Sequence, residues 1–321
     1  MLTDRQTDTL TLGILAIALG VLAVRKHPAP TPVRAKKCLD LPPHRQALRS
    51  PTVTAARRLN GAAGLIATST LLDSGIEHYR GAFHNKAMFT PLLVSALTLA
   101  VSAHGSRDER PLAHAVRDPI YLVAAVTGVV GTGFHIYNVT KRPGGFSWQN
   151  LFYGSPLGAP AAIALSGLLG YYSERVRGSD SDAPRVFRMP AGRALAGLTA
   201  VGLLATSAEA GLLHFRGAYH DPFMYLPVTV PPIAAVLLAE AAINHRREPS
   251  RLARWWLRLT TVIGFAGAGF HVWGVHRNMG GWHNWRQNLL NGPPIPAPPS
   301  FTGVALAGLA ALGLLKEPHD D

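Results

Sequence analysis

Residues 75–84 read GIEHYRGAFH and residues 211–220 read GLLHFRGAYH, each closing a long apolar run. His78 and His214 end these runs, while His135 and His271 lie near the ends of two further runs, in GVVGTGFHIYN and GFAGAGFHVWG. Imidazole near neutral pH ligates iron, copper or zinc and moves protons. Placing it where an apolar helix stops points to a cofactor or metal held at one end of a helix bundle.

Shifting the chain by 136 residues sets the two patterns in register. Asp73 falls on Glu209, Gly75 on Gly211, His78 on His214, Arg80 on Arg216, His84 on His220, Met88 on Met224 and His135 on His271. After two extra residues QNLFYGSP (149–156) meets QNLLNGPP (287–294). Self-similarity at a fixed offset is the mark of an internal repeat.

Three chemistries suit these residues. His78 with His135, and His214 with His271, form a pair at similar depth when their helices are neighbours, which suits axial ligation of haem b. On a helix Gly131 lies about 40° from His135, and Gly267 likewise from His271, so a flat ring could press on side-chain-free backbone. Arg80 and Arg216 then suit haem propionates, because guanidinium binds carboxylate bidentately. Alternatively His78, His84, His135 and Asp73, with His214, His220, His271 and Glu209, make a copper, zinc or iron site. Met88 and Met224 read as packing residues beside it. In the third reading these histidines satisfy helix ends in a transporter or structural membrane protein, and the glycines are close helix contacts.

The elements that position these residues read as membrane spans. The chain has 321 residues, 48% apolar and only 15% charged, too little charge to cover a soluble protein of this size. Apolar runs at 9–24, 59–79, 89–104, 119–138, 157–174, 194–214, 223–243, 256–276 and 300–315 predict an all-α polytopic membrane protein of about nine spans. Residues 1–24 form an N-terminal anchor, 25–58 a Pro-rich basic linker, and 59–175 and 194–316 two tandem parallel four-helix repeats. The stretch 176–193 links the repeats, 317–321 is a tail, and 291–300 reads as an extended outer loop.

Segments 25–58, 104–118, 174–193 and 244–258 hold 9, 3, 5 and 5 of the 31 Lys and Arg residues. This alternation accounts for the net charge of +13 by topology and leaves no need for a nucleic-acid partner. It places the histidine ends outside, the N-terminus outside and the C-terminus in the cytoplasm of a bacterial-type inner membrane. The single cysteine, Cys38, supports neither a disulfide framework nor a covalent haem attachment.

A duplicated four-helix bundle with an outer His pair in each half resembles haem A synthase and, more loosely, other di-haem membrane cytochromes. The resemblance covers the eight duplicated spans as architecture and His placement. Haem A synthases carry a Glu three residues before the first His, whereas Asp73 and Glu209 stand five before; their catalytic role is not carried over. The expectation is a redox protein in the lipid bilayer, passing electrons between an extracytoplasmic dehydrogenase or other donor and quinone.

Overall fold

The computed structural model describes residues 51–179, 184–186, 188–244 and 251–315. The expected first span, the linker up to residue 50 and the tail lie outside the described residues. The first half contains α1 (Pro51–Arg80), α2 (Thr90–Arg107), α3 (Arg117–Thr140), the short α4 (Trp148–Tyr153) and α5 (Gly158–Arg177). The second half contains α6 (Ala191–Arg216), α7 (Leu226–Ile243), α8 (Arg251–Arg277), the short α9 (Trp285–Asn291) and α10 (Pro299–Leu314). Between them β1 (Arg185–Val186) and β2 (Met189–Pro190) pair antiparallel. The first helix therefore begins earlier than 59, and the segment after residue 291 is shorter and flanked by a helix on each side.

The helix ends follow from local chemistry. After α1, Ala82 and Phe83 take left-handed backbone with φ of 56° and 45°, and Ala218 and Tyr219 repeat this after α6 with 55° and 45°. Non-glycine residues rarely adopt that region, so the same turn built twice is held by its surroundings. Asn85 and Asp221 then accept the N–H of Ala87 and Phe223, starting the turns that lead into α2 and α7. The two acceptors differ in type and do the same work. Pro91 and Pro227 sit in the first turns of α2 and α7, where no N–H is needed.

In the first half α1 and α3 each pack against α2 and α5, and in the second half α6 and α8 each pack against α7 and α10. Each half is thus a four-helix ring in which the two histidine-bearing helices stand on opposite corners. The histidine-bearing helices of each half are therefore a diagonal pair across the ring. The halves join through α1 against α10 and α5 against α6. At the first contact a Cβ on Gly303 would lie 2.6 Å from Ile66 Cγ1; at the second a Cβ on Gly202 would lie 2.8 Å from Leu165 Cδ2. The large and small partners have exchanged helices between the two interfaces, and each glycine makes room for the branched side chain opposite it, as small residues do in apolar surroundings. One apolar core runs through both halves, including Leu59, Ile66, Leu169, Leu195, Leu238 and Leu257.

Among the described residues four helical stretches are long and apolar enough to cross a membrane: Lys86–Arg107, Arg117–Thr140, Ala191–Arg216 and Pro222–Ile243. Helices α1, α5 and α8 have 30, 20 and 27 residues, but polar residues such as Asn60, Asp73, Glu174 and Arg258 dilute them. Leu93, Val129, Val201, Val236 and Val262 are each more than 60% exposed on the outside of the bundle. Such a surface suits lipid and not water. Tyr79, Trp148, Tyr153, Phe223, Trp273 and Trp285 are exposed around the histidine end, as in an interfacial aromatic belt.

Candidate functional site

Each of the four histidines points one ring nitrogen at a backbone carbonyl. His78 Nδ1 lies 2.6 Å from Met88 O and His214 Nδ1 lies 2.8 Å from Met224 O. His135 Nδ1 bonds Pro156 O, and His271 Nδ1 lies 2.7 Å from Pro294 O. A carbonyl only accepts, so Nδ1 must carry the proton and Nε2 presents its lone pair. Among the described residues no hydrogen bond reaches Nε2 of any of the four. An imidazole with Nδ1 tied to a carbonyl and Nε2 free is oriented as a metal ligand is oriented.

The rings are also held sideways. Phe83 meets His78 edge-on at 6.2 Å and stacks on Phe89 at 4.4 Å; Tyr219 meets His214 edge-on at 6.1 Å and stacks on Tyr225 at 4.6 Å. The left-handed turn after each first helix is what brings Phe83 and Tyr219 back onto the histidine. His135 lies within electrostatic reach of His78, and His271 of His214, so each diagonal pair shares one region. Both pairs lie at the same end of the molecule: Arg286 of α9 donates to Tyr79 of α1 at 2.6 Å, and Glu209 of α6 lies against the start of α5, where a Cβ on Gly158 would stand 2.8 Å from its Cγ.

The other sequence candidates divide. Glu209 lies beside the first turn of α5, a favourable place for a carboxylate. Its counterpart Asp73 has no hydrogen-bond partner among the described residues. The position matching Gly158 is Pro296, which has no N–H to give. Asp73 lies within electrostatic reach of both Glu77 and Glu209, so the two equivalent carboxylates approach each other where the halves meet. Arg80 pairs with Glu77 at 2.8 Å, while Arg216 lies 5.9 Å above the Phe152 ring and 5.7 Å above Tyr153. His84 and His220 are exposed, each turned onto the carbonyl three residues back at 3.0 Å. Among the described residues no three His, Cys, Asp or Glu side chains converge as metal ligands, so the non-haem site lacks a third donor here.

One glycine assignment is corrected. Gly131 and Gly267 do not front an open ring site: a Cβ there would come within 3.1 Å of Pro160 and 2.8 Å of Pro298. They let α5 and α10 lie close, which carries Pro156 and Pro294 to the histidines. Gly81 and Gly217 close α1 and α6 by donating to the carbonyls of Glu77 and Leu213, and a Cβ on either would meet the Met88 or Met224 methyl at 3.0 Å or 3.1 Å. Met88 and Met224 serve through packing and through their carbonyls.

Sequence reasoning missed two features. Asn150 donates to the carbonyls of Pro143 and Gly145, and Asn288 to those of Met279 and Gly281, fixing the loops that lead to Pro156 and Pro294. The repeated QN of the two halves was the signal. The second lies at the opposite end of the first half. Arg117 donates to Glu174 at 2.9 and 3.0 Å and to Asp108 at 2.8 Å; Asn60 donates to Ser173 at 2.8 Å and accepts from Tyr121. Arg117, Arg177, Glu174, Asn60 and Tyr121 are fully buried. Burial alone would raise the Asp108 carboxyl, but hydrogen bonds from Arg110 and Arg117 outweigh it and hold it well below the usual carboxylate range. In the second half Ala196, Ala253, Leu257, Leu312 and Leu315 occupy the positions of Asn60, Arg117, Tyr121, Glu174 and Arg177, all buried. The fold therefore does not require these charges.

The chain matches no known protein family, no curated protein and no solved structure.

Proposed function

We propose that this chain is a membrane redox protein binding one haem b in each half, with His78 and His135 in the first and His214 and His271 in the second as axial ligands. The observation that carries this reading is the set of four Nδ1-to-carbonyl bonds, made at equivalent residues in the two halves, with no hydrogen bond at any of the four Nε2 atoms among the described residues. Bis-imidazole ligation needs two donors per site and no third, in keeping with the pairs found. Haem bound there supplies a one-electron ferric–ferrous couple. The chain's own residues orient the ligands: Met88, Pro156, Met224 and Pro294 fix the tautomer, and Phe83 and Tyr219 fix the ring planes. Arg80 and Arg216 stand at the histidine end, where propionates would emerge. In this reading the tandem repeats make eight spans and residues 9–24 a ninth, in a bacterial-type inner membrane. The histidine end faces outward, and electrons pass between an extracytoplasmic donor and quinone.

The test is a reduced-minus-oxidised visible spectrum of protein purified from haem-replete cells, with haem quantified per chain. Low-spin bands and about two haems per chain are expected. His78→Ala and His271→Ala each remove about one haem, and the double variant removes both. Absence of haem bands, with copper, zinc or iron found in stoichiometric amount instead, transfers the site to the non-haem reading.

A further inference from the structure

The two junctions between the halves differ at the histidine end in one respect that bears on a ligand. Where α4 of the first half meets α6 of the second, Phe152 packs edge-on against Phe215 at 5.6 Å, with Arg216 over its face, and fills the space between them. At the equivalent junction of α9 with α1 the residue matching Phe152 is Leu290, and the space stays open. It is a groove of about 470 Å³ between α9 and the last turns of α1, with Leu72, Gly75, Phe83 and Leu289 among its walls. No side chain comes within 4 Å of where a Gly75 Cβ would stand, so the floor is bare backbone.

The mouth is polar and adjoins a second cleft of about 450 Å³ that Arg80 and Asn291 help to line. Arg286, whose counterpart is Trp148, donates to Tyr79 Oη at 2.6 Å and lies 5.8 Å above the Tyr79 ring. The Tyr79 hydroxyl accepts that bond and keeps its own proton to donate; the guanidinium retains further N–H groups. A long apolar trough with two neutral-to-cationic donors at its mouth recognises a flat ring bearing carbonyl oxygens and an apolar tail. The volume suits one such head group. Phe83 both lines the groove and touches the His78 ring, so the groove stands one aromatic ring from the ligand pair.

We propose that this groove is a quinone site, taking the ring carbonyls on Tyr79 and Arg286 with the tail along Leu72 and Leu289, and that the α4–α6 junction has none. The choice of quinone rests on the redox reading above; the groove itself does not. Trp285 lies in the wall, so occupancy is readable without haem.

The experiment is a titration of detergent-purified full-length chain with decylubiquinone, following tryptophan fluorescence, with Trp285→Phe identifying the reporting residue. Saturable quenching is expected, weakened at least ten-fold by Leu290→Phe, which fills the groove as Phe152 does, and by the exposed-site variant Arg286→Ala. Saturable quenching in a preparation without haem bands keeps the groove and defeats the haem assignment, which separates the two. Leu290→Phe and Arg286→Ala binding like wild type overturns the proposal. So does quenching abolished by phosphatidylglycerol at bulk-lipid ratios, which assigns the groove to a bilayer lipid. Haem bands without saturable quenching defeat the quinone site alone.

Discussion

Arg117→Ala isolates what the buried charge network is worth. Its guanidinium makes two bonds to Glu174 and one to Asp108, all between groups that are at most 5% exposed as side chains. Once it is removed, Glu174 keeps the His114 N–H at 2.9 Å and a long contact to Ser173 at 3.4 Å, with Arg177 Nε at 3.9 Å. Stripping one partner from a buried ion pair costs about 3–5 kcal/mol, because a desolvated charge is left behind. At about 2–4 °C per kcal/mol for a domain of this size, the thermal midpoint falls by roughly 6–20 °C. The second half supplies the control. Replacing Asn60, Ser102, Arg117, Tyr121, Ser173, Glu174 and Arg177 together by Ala, Leu, Ala, Leu, Ala, Leu and Leu copies residues already buried at 196, 238, 253, 257, 311, 312 and 315. That graft removes Arg117, Glu174 and Arg177 together and leaves Asp108 paired with Arg110, so it should match or exceed wild type by about 1–4 kcal/mol. Both variants are measured by helical circular dichroism on heating in one detergent. A single variant as stable as wild type, or a graft less stable than the single variant, refutes the reasoning.

Three smaller predictions follow the same geometry. The folded Asp108 carboxyl is held below its ordinary value, so its stabilisation is complete above the ordinary aspartate pKa of about 3.9 and is lost as pH falls below it. The thermal midpoint should therefore begin to drop near pH 5 and keep dropping through pH 3 and below, and Asp108→Asn should flatten that slope. Gly267→Ala forces a Cβ to 2.8 Å from the Pro298 Cβ and should cost about 1–3 kcal/mol. Through α10 it also loosens the His271 bond to Pro294, so haem loss should be confined to the second half; an unshifted melt with full haem contradicts this. Tyr219→Phe removes a hydroxyl that donates to Gly211 O at 3.2 Å and should cost about 1 kcal/mol while leaving haem content unchanged, as checked by melting and absorbance.

The sequence alone carried the helical, lipid-facing character, since long apolar stretches with few charges leave the backbone no alternative but helix. It also led to the expectation that His78 lies near His135 and His214 near His271, because the first and third helices of an up-and-down bundle run parallel and end on one side. Only the tertiary structure decided that these helices are diagonal, that Met88, Pro156, Met224 and Pro294 carbonyls fix the imidazoles, and that Gly131 and Gly267 serve helix packing. Each of those depends on contacts between segments 10 to 23 residues apart or on different helices, which spacing along one helix does not encode. The difference between the halves at their other end was written in the sequence as Arg117 against Ala253 and Glu174 against Leu312, but its meaning came from burial. A charge in a list of residues is a loop or surface residue until the fold removes its water.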